Sequence, residues 1–382
     1  MYPLRLILIF WYVNYIFGMI FLNNKIVIDP KYNVYNSEAE VFYFLCLIST
    51  SLGIYFYRPA INLSKLNYNG PIENIPIVTY YLFLVYPFVF LVETYFNLGF
   101  LPILLSGSIN EDMYDYKFGY LSGYKALFFY SIIMLFFEIF VSKKLVIINL
   151  ILIIVFFAIS LIDGRRTVLL FTLMGVLFFL FKYVKNNLVN IFSILVPLIA
   201  SIVYVSLIFF RSGTLSEFNF SDLISNFPLG VEFSDYVYSF NNIKIIELNN
   251  FSLIKASIGS FFNSSFLSLL GYSKSELISH GSEYVWMDIF NSNLGIRTGI
   301  VSELYFSFGY SSVFIFFVIG MMFKKVCKHL LESKNLFISI SYIYILTLIS
   351  FLIVGQISVF WGFIIVIIYI SVLNFFIKLF AI

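Results

Sequence analysis

Two adjacent arginines stand in a short polar segment, Asp163-Gly164-Arg165-Arg166-Thr167, between two long apolar runs. An Asp-Gly pair is typical of a turn, so Arg165 and Arg166 are predicted to precede a helix that begins at Thr167. Guanidinium groups match phosphate oxygens, and a helix N-terminus adds exposed N–H groups and a positive dipole end. The pair therefore predicts a site for a diphosphate or a lipid headgroup. The alternative is an arginine pair that snorkels to anionic lipid or pairs with Asp163.

Two further arginines flank the longest polar stretch of the chain. Arg211 directly follows one apolar run, Arg297 comes just before another, and residues 211–298 lie between these runs. If all four arginines converge, they form a cationic clamp for one anionic group. Taken singly, each is better interpreted as a structural or headgroup arginine, and convergence is a three-dimensional hypothesis that the sequence does not show.

Candidate bases lie within the same stretch. Glu232 and Asp235 are three residues apart, so a helix would place both carboxylates on one face. There they can act as a base, accept a substrate hydroxyl or pair with an arginine. His280 is the histidine of this stretch, and an imidazole can take a proton from a hydroxyl at neutral pH. For each residue the alternative is an ordinary solvated polar surface.

The elements that must position these residues are predicted to be membrane-spanning helices. The chain is 61% hydrophobic and 11% charged, against roughly 45–50% and 25% in soluble domains. Its apolar runs are long and lack the alternation of strands, which indicates an all-α polytopic membrane protein. A span needs about 20 apolar residues, and about ten runs qualify. They lie at 4–22, 40–57, 75–95, 124–141, 145–162, 166–184, 188–210, 301–323, 335–354 and 358–380.

The distribution of lysine and arginine predicts the orientation. With the N-terminus inside, pairs such as Lys143-Lys144 and Lys324-Lys325 fall in short inner loops, and the C-terminus is also inside. This orientation puts most carboxylates on the periplasmic side. We expect a single membrane domain over 1–382, with 211–298 as one large periplasmic loop. Short helices are expected in the loop, because Ser273-x-x-Glu276 is typical of a capping box.

Several classes of function are disfavoured by the absence of their motifs. The sequence has no Gly-x-x-x-x-Gly-Lys phosphate loop, no His-x-x-x-His zinc pattern and no Gly-x-Ser-x-Gly elbow. ATP-driven transport and hydrolase chemistry are therefore disfavoured. We expect no cofactor or metal site, and the scattered basic residues predict no nucleic-acid partner. Ionisable residues within the spans are few, chiefly Glu93 and Glu138, which argues against a proton-relay pump.

This arrangement resembles the Wzy-type O-antigen polymerases, also called oligosaccharide repeat-unit polymerases. The resemblance rests on the number of spans, the junction at 163–167 and the outer loop with Glu232-Phe233-Ser234-Asp235. It also rests on Gly295-Ile296-Arg297-Thr298-Gly299, which leads into 303–310. Some members carry an Arg followed by ten residues and a Gly in two outer loops. At the corresponding positions this chain has Asp222 and Phe308.

The resemblance implies a metal-independent glycosyltransferase of the bacterial inner membrane, active at the periplasmic face. The donor would be a glycan on undecaprenyl diphosphate, and the acceptor a sugar hydroxyl of the next lipid-linked repeat unit. The implied diphosphate-binding residues are Arg165, Arg166, Arg211 and Arg297, and the candidate bases are His280, Glu232 and Asp235. The implied partners are the undecaprenyl-diphosphate-linked oligosaccharide and membrane lipid, with a chain-length regulator and a flippase as candidate protein partners.

Two other functions fit the same layout. An O-antigen ligase, which passes the finished polymer to the lipid A core, has a similar outer loop. A flippase or transporter for the lipid-linked repeat unit is the other alternative. The long loop favours a transferase, since a flippase should show repeat symmetry and charged residues in its spans.

Overall fold

The computed structural model describes residues 2–23, 36–57, 84–89, 91–92, 95–96, 125–143, 145–162, 166–183, 228–242, 251–262, 264–282, 285, 288, 299–333 and 335–353. Within these ranges the regular elements are helices and no β-strand occurs, so the all-α prediction is confirmed for the described residues. The helices are α1 (Tyr2–Asn23), α2 (Ser37–Phe56), α3 (Lys125–Phe137), α4 (Val146–Ile162), α5 (Arg166–Tyr183), α6 (Pro228–Asn241), α7 (Leu253–Phe261), α8 (Ser264–Leu269), α9 (Lys274–Ile278), α10 (Gly299–Phe308), α11 (Ser312–Glu332) and α12 (Leu336–Phe351).

Most of the predicted spans that can be compared coincide with a helix. The runs at 4–22, 40–57, 145–162, 166–184 and 335–354 correspond to α1, α2, α4, α5 and α12. The run at 124–141 is α3 followed by a π-helical turn, Glu138–Ser142. The run at 75–95 is described only in short pieces, which are helical, and those at 188–210 and 358–380 lie outside the described residues.

The predicted span at 301–323 is not one uniform helix. Helix α10 ends at Phe308, a 3-10 turn occupies Gly309–Ser311, and α11 begins at Ser312. Gly309 has φ +58°, a conformation that glycine adopts more easily than any residue with a side chain. The polar, glycine-containing turn therefore separates a short helix from a longer one that continues past Lys324 and Lys325.

Apolar helices make up much of the described part of the chain. Ser37–Phe56 and the run Gly299–Glu332 are long and apolar enough to cross a membrane, by length and composition. Shorter apolar helices lie at Leu4–Ile20, Phe128–Ser142, Val146–Ile159, Phe171–Tyr183 and Leu336–Phe351. These helices are consistent with a membrane protein.

The contacts divide the chain into two compact units. The first consists of Met1–Ala60, Ile224–Lys325 and Leu348–Ser371, and the second of Ile61–Leu223, Val326–Thr347 and Val372–Ile382. Much of the predicted periplasmic stretch, from Ile224 onward, therefore belongs to the same unit as the N-terminal helices.

In the first unit, α6 is part of the core. Phe233 and Tyr236 are buried, and the Tyr236 hydroxyl donates a hydrogen bond to the Ala39 carbonyl of α2 over 2.7 Å. Gly18 of α1 makes room for Phe233, because a Cβ at Gly18 would lie 2.3 Å from the Cβ of Phe233. The apolar residues at 233, 236, 237 and 240 therefore form a helical stripe that packs inward.

The second unit contains α3, α4 and α5 together with 326–332 of α11 and 336–347 of α12. Gly175 of α5 accommodates the ring of Phe129, since a Cβ at Gly175 would lie 2.1 Å from Phe129 Cε2. The Tyr130 hydroxyl and Ser341 Oγ are 2.7 Å apart, and Phe129 meets Tyr344 edge to face at 5.0 Å. A small residue, a hydroxyl contact and ring contacts therefore hold α5 and α12 close to α3.

Candidate functional site

The structure places one of the four predicted arginines on an element. Arg166 is the first residue of α5, so it stands at a helix N-terminus, as the Asp-Gly turn signal indicated. Its side chain, and all of Arg165, Arg211 and Arg297, lie outside the described residues. Convergence of the four guanidinium groups on one anion stays a prediction.

The two predicted acids lie one turn apart on α6. Glu232 and Asp235 both fall within Pro228–Asn241, which provides the helix that the sequence argument assumed. Their side chains lie outside the described part of the chain. The neighbouring positions Phe233 and Tyr236 are buried, so the backbone that carries the two acids is held by the core of the first unit.

His280 follows α9 in a segment that is tied to the start of α7. The backbone N–H of Ser252 donates to the His280 carbonyl over 3.0 Å. Ser252 also caps α7, because its hydroxyl accepts from the N–H of Lys255 over 3.4 Å. As a result the half-buried imidazole lies beside an exposed amine, with His280 Nε2 3.4 Å from Lys255 Nζ.

The contact between Lys255 and His280 constrains any role of the imidazole as a base. A lysine ammonium has three donors and no acceptor, so a hydrogen bond between the two groups makes Nε2 of His280 the acceptor and leaves the ring proton on Nδ1. The lone pair that would take a proton from a substrate is then directed at Lys255. His280 can act as a base only when Lys255 turns to another acceptor, such as a phosphate oxygen of a bound substrate.

The two lysines of this segment differ in their surroundings. Lys255 is exposed, whereas Lys274 at the start of α9 is half-buried, and burial lowers the pKa of its amino group. Desolvation penalises the charged form of an amine. Lys255 is therefore the better placed cation for an anionic ligand near His280.

A buried hydrogen bond anchors the residues that follow His280. The hydroxyl of Ser282 donates to Oε1 of Glu303 over 2.8 Å, and both residues are buried in the first unit. The N–H of Gly281 donates to the Ile278 carbonyl over 2.8 Å. The segment 280–282 is thus fixed at α9 on one side and at α10 on the other. Glu303 holds this segment from within the core of the first unit.

No local signal in the sequence points to Lys255 as a partner of His280. Lys255 is 25 residues from His280 with two short helices between them, and no periodicity relates the two positions. The capping signal at Ser273 was informative, because Ser273 Oγ accepts from the N–H of Glu276 over 3.5 Å at the start of α9. That signal fixes the start of α9 but not the residues that the helix approaches.

Comparisons with known proteins add no family assignment. No family model matches the chain, and neither a curated protein nor a solved structure is significantly similar to it. Among the described residues, no group of three or more His, Cys, Asp and Glu side chains is placed to hold a metal ion.

Proposed function

We propose that this chain is an inner-membrane polymerase that joins undecaprenyl-diphosphate-linked oligosaccharide repeat units at the periplasmic face. The observation that carries the proposal is the long polar stretch 211–298, which is built of helices in its described parts and holds His280 beside Lys255. In a chain of apolar helices, a structured polar segment of this length is where a substrate site is expected.

Exposed aliphatic faces support insertion in a membrane. On α4, Ile147, Ile151 and Ile154 are 76%, 55% and 62% exposed, and their spacing places them along one side of the helix. On α2, Val41 and Leu45 are likewise exposed. In water such faces would form apolar patches that need a partner, whereas in a bilayer the acyl chains cover them.

The contacts between helix ends support the predicted alternation of the spans across the membrane. In the first unit, the amino group of Lys324 donates to the Ile54 carbonyl over 2.7 Å, and both residues are predicted at the inner side. A Cβ at Gly299 would lie 2.7 Å from the Ile353 carbonyl oxygen, and both of these residues are predicted at the outer side. Ends assigned to the same side of the membrane therefore meet.

The proposed reaction transfers the growing glycan to the next repeat unit. A hydroxyl oxygen of the acceptor sugar attacks the anomeric carbon that is bonded to the diphosphate of the donor. The bond between that carbon and the phosphate oxygen breaks, undecaprenyl diphosphate leaves, and the hydroxyl proton passes to a base. Arg165, Arg166, Arg211 and Arg297 bind the leaving diphosphate, since preorganised donors stabilise charge that develops in the transition state.

The base is assigned to His280, with Glu232 and Asp235 as the remaining candidates. In the resting contact Lys255 occupies the acceptor nitrogen of His280. A substrate phosphate would draw the Lys255 ammonium to itself and release that nitrogen for the acceptor hydroxyl. Substrate binding and activation of the base are coupled in this scheme through one lysine.

The test is the glycan made by a strain in which the gene for this chain is deleted. A polymerase predicts lipid A core capped by a single repeat unit, and the full-length chain restores long polymer. Bare core in the deletion strain would instead support the ligase or flippase alternatives. Unchanged polymer would contradict all three.

The role of His280 is tested in the same strain. His280→Ala should restore little or no polymer at normal protein abundance, because the hydroxyl proton loses its acceptor. The chain has two histidines, so His329→Ala is the matched control. His329 stacks on Tyr342 at 5.7 Å in the second unit, and this variant should restore normal polymer. Full activity of His280→Ala would pass the role of base to Glu232 or Asp235.

A further inference from the structure

An exposed tyrosine stands at the break between α10 and α11. Tyr310 is in the 3-10 turn Gly309–Ser311, and its side chain is 52% exposed. The turn brings it beside the first turn of α2, where Glu38 is also exposed. A large aromatic ring and a carboxylate therefore share one open patch of the first unit.

Tyr310 is held in one orientation despite its exposure. Its ring meets Phe42 edge to face at 5.5 Å and Tyr305 edge to face at 5.6 Å. Its hydroxyl donates to Oε1 of Glu38 over 2.5 Å, a short distance typical of a hydrogen bond to a charged acceptor. Contacts on two sides and at the hydroxyl fix the ring plane, so an exposed part of the ring is presented to solvent without rotamer freedom.

Glu38 is itself well positioned to bind a ligand. It lies in the first turn of α2, and its N–H donates to Oδ1 of the N-cap residue Asn36 over 2.9 Å. A negative side chain is stabilised at a helix N-terminus. A carboxylate has two oxygens and about four acceptor positions, so the bond to Tyr310 leaves acceptor capacity for further hydroxyl donors.

Further polar groups stand next to this pair along the chain. Ser37 and Ser311, the chain neighbours of Glu38 and Tyr310, are exposed, and Asn36 Nδ2 donates to Oδ1 of Asn241 at the end of α6. Amides, hydroxyls and a carboxylate next to an aromatic ring are the groups that bind polyhydroxylated rings, because the ring covers the apolar C–H face and the polar groups bond the hydroxyls.

We propose that Tyr310 and Glu38 form a sugar-binding subsite for one ring of the lipid-linked glycan. The C–H face of a hexose stacks on the exposed part of Tyr310, and one or two of its hydroxyls donate to Glu38. This assignment rests on the proposed function for the identity of the glycan, but not for the chemistry of the subsite.

An exposed tyrosine of a membrane protein can also serve as an anchor at the membrane–water interface. Tyrosine is common at membrane–water boundaries, where its ring sits among the headgroups. An anchor needs no carboxylate partner, and Glu38 would repel the anionic phosphates of the lipids around it. A sugar ring without charge meets no such repulsion, so the pairing with Glu38 favours the glycan.

The subsite is tested by direct binding to the purified full-length protein in detergent. The probe is the repeat-unit oligosaccharide released from its lipid by mild acid, so that no diphosphate or lipid tail contributes. Binding is measured by calorimetry or by saturation-transfer NMR. Tyr310→Ala should weaken binding about tenfold or more, and Glu38→Gln should weaken it by a similar factor, since hydrogen bonds to charged groups are the stronger ones.

Tyr310→Phe separates stacking from hydrogen bonding, because it keeps the ring and loses the bond to Glu38. It should bind with an affinity between those of the wild type and Tyr310→Ala. The matched controls are Tyr272→Ala and Glu276→Gln, which remove another exposed tyrosine and another exposed glutamate of the same unit and should bind like the wild type. If Tyr310→Ala fails to fold, Tyr310→Phe and Glu38→Gln decide the question.

Failure of the subsite and failure of the polymerase proposal give different results. Wild-type affinity in both Tyr310→Ala and Glu38→Gln overturns the subsite, whatever the deletion strain shows. The absence of any binding of the oligosaccharide to the wild-type protein overturns it too. Binding that is lost in these variants supports the subsite even if the deletion strain shows bare core, in which case the same subsite serves another reaction on the glycan.

Discussion

The packing of α2 against α11 in the first unit allows a quantitative prediction about two glycines. A Cβ at Gly53 would lie 2.1 Å from the carbonyl oxygen of Phe317, and a Cβ at Gly320 would lie 2.2 Å from that of Thr50. Carbon–oxygen contacts between helices settle at about 3.3–3.6 Å. Either Gly→Ala substitution should therefore push the two helices apart by about 1 Å, because a backbone oxygen cannot rotate away as a flexible side chain can.

The same separation would break the hydrogen bonds that join these helices. Ser49 Oγ donates to the Val313 carbonyl over 2.6 Å, and Lys324 donates to the Ile54 carbonyl over 2.7 Å. Overpacking costs about 1–3 kcal/mol, and an interhelical hydrogen bond in a membrane contributes about 0.6 kcal/mol on average. We expect Gly53→Ala and Gly320→Ala each to lower the free energy of unfolding by about 2–4 kcal/mol.

Reversible unfolding in mixed micelles with increasing denaturing detergent measures this loss. Leu52→Phe is the matched control, because Leu52 neighbours Gly53 on the same helix but is 43% exposed, so extra bulk there meets no backbone. It should unfold like the wild type within about 0.5 kcal/mol. Wild-type stability in both alanine variants would refute the close contact of α2 and α11. The pairing of Glu38 with Tyr310, which depends on this contact between α2 and α11, would then lose its structural basis.

Three further predictions concern the site and the topology. Arg165→Ala and Arg166→Ala should each slow polymer formation by about a hundredfold to a thousandfold while the protein still inserts. Lysine at these positions should restore polymer only partly, because an ammonium lacks the bidentate geometry of a guanidinium. Polymer length on gels measures the effect. Accessibility tags at 182–187 and at the C-terminus should be cytoplasmic, and a tag near Lys274 periplasmic. Glu303→Gln should retain most polymer, because the amide oxygen still accepts from the Ser282 hydroxyl. Glu303→Ala should lose most polymer, because the segment 280–282 is no longer anchored. Proteolysis of the purified variants measures the order of that segment.

Each of these three predictions has a contradicting result. Normal polymer in both arginine variants at normal abundance removes that pair from the clamp and leaves Arg211 and Arg297. Reversed tag labelling overturns the orientation and the assignment of the site to the periplasm. Equal polymer in Glu303→Gln and Glu303→Ala would show that the hydrogen bond between Ser282 and Glu303 does not position His280.

Sequence periodicity located helices better than it located their breaks. Helices α1, α4 and α5 begin and end within a few residues of the predicted runs, because unbroken apolar stretches leave few alternatives. The break at Gly309–Ser311 was missed, since apolar residues continue on both sides of it. A glycine with φ +58° ends the helix there, and hydropathy alone does not reveal the backbone angle.

Local signals located single elements that carry candidate residues, but not how these elements pack. The cap at Ser273 and the helix start near Arg166 follow from such signals, whereas the helix that carries Glu232 and Asp235 was only assumed from their spacing. The pairing of Glu38 with Tyr310 joins residues that are 272 positions apart. Such contacts are decided by tertiary packing, for which a single sequence carries no periodic signal.

The central claim is tested most directly by reconstitution of the full-length protein in liposomes. The substrate is undecaprenyl-diphosphate-linked repeat unit extracted from the deletion strain, and the measured quantities are glycan length and released undecaprenyl diphosphate. We predict a ladder of polymer lengths, with one undecaprenyl diphosphate released for each new glycosidic bond. A lipid-linked glycan that stays at a single repeat unit, with no release of undecaprenyl diphosphate by correctly inserted protein, would contradict the assignment as a polymerase.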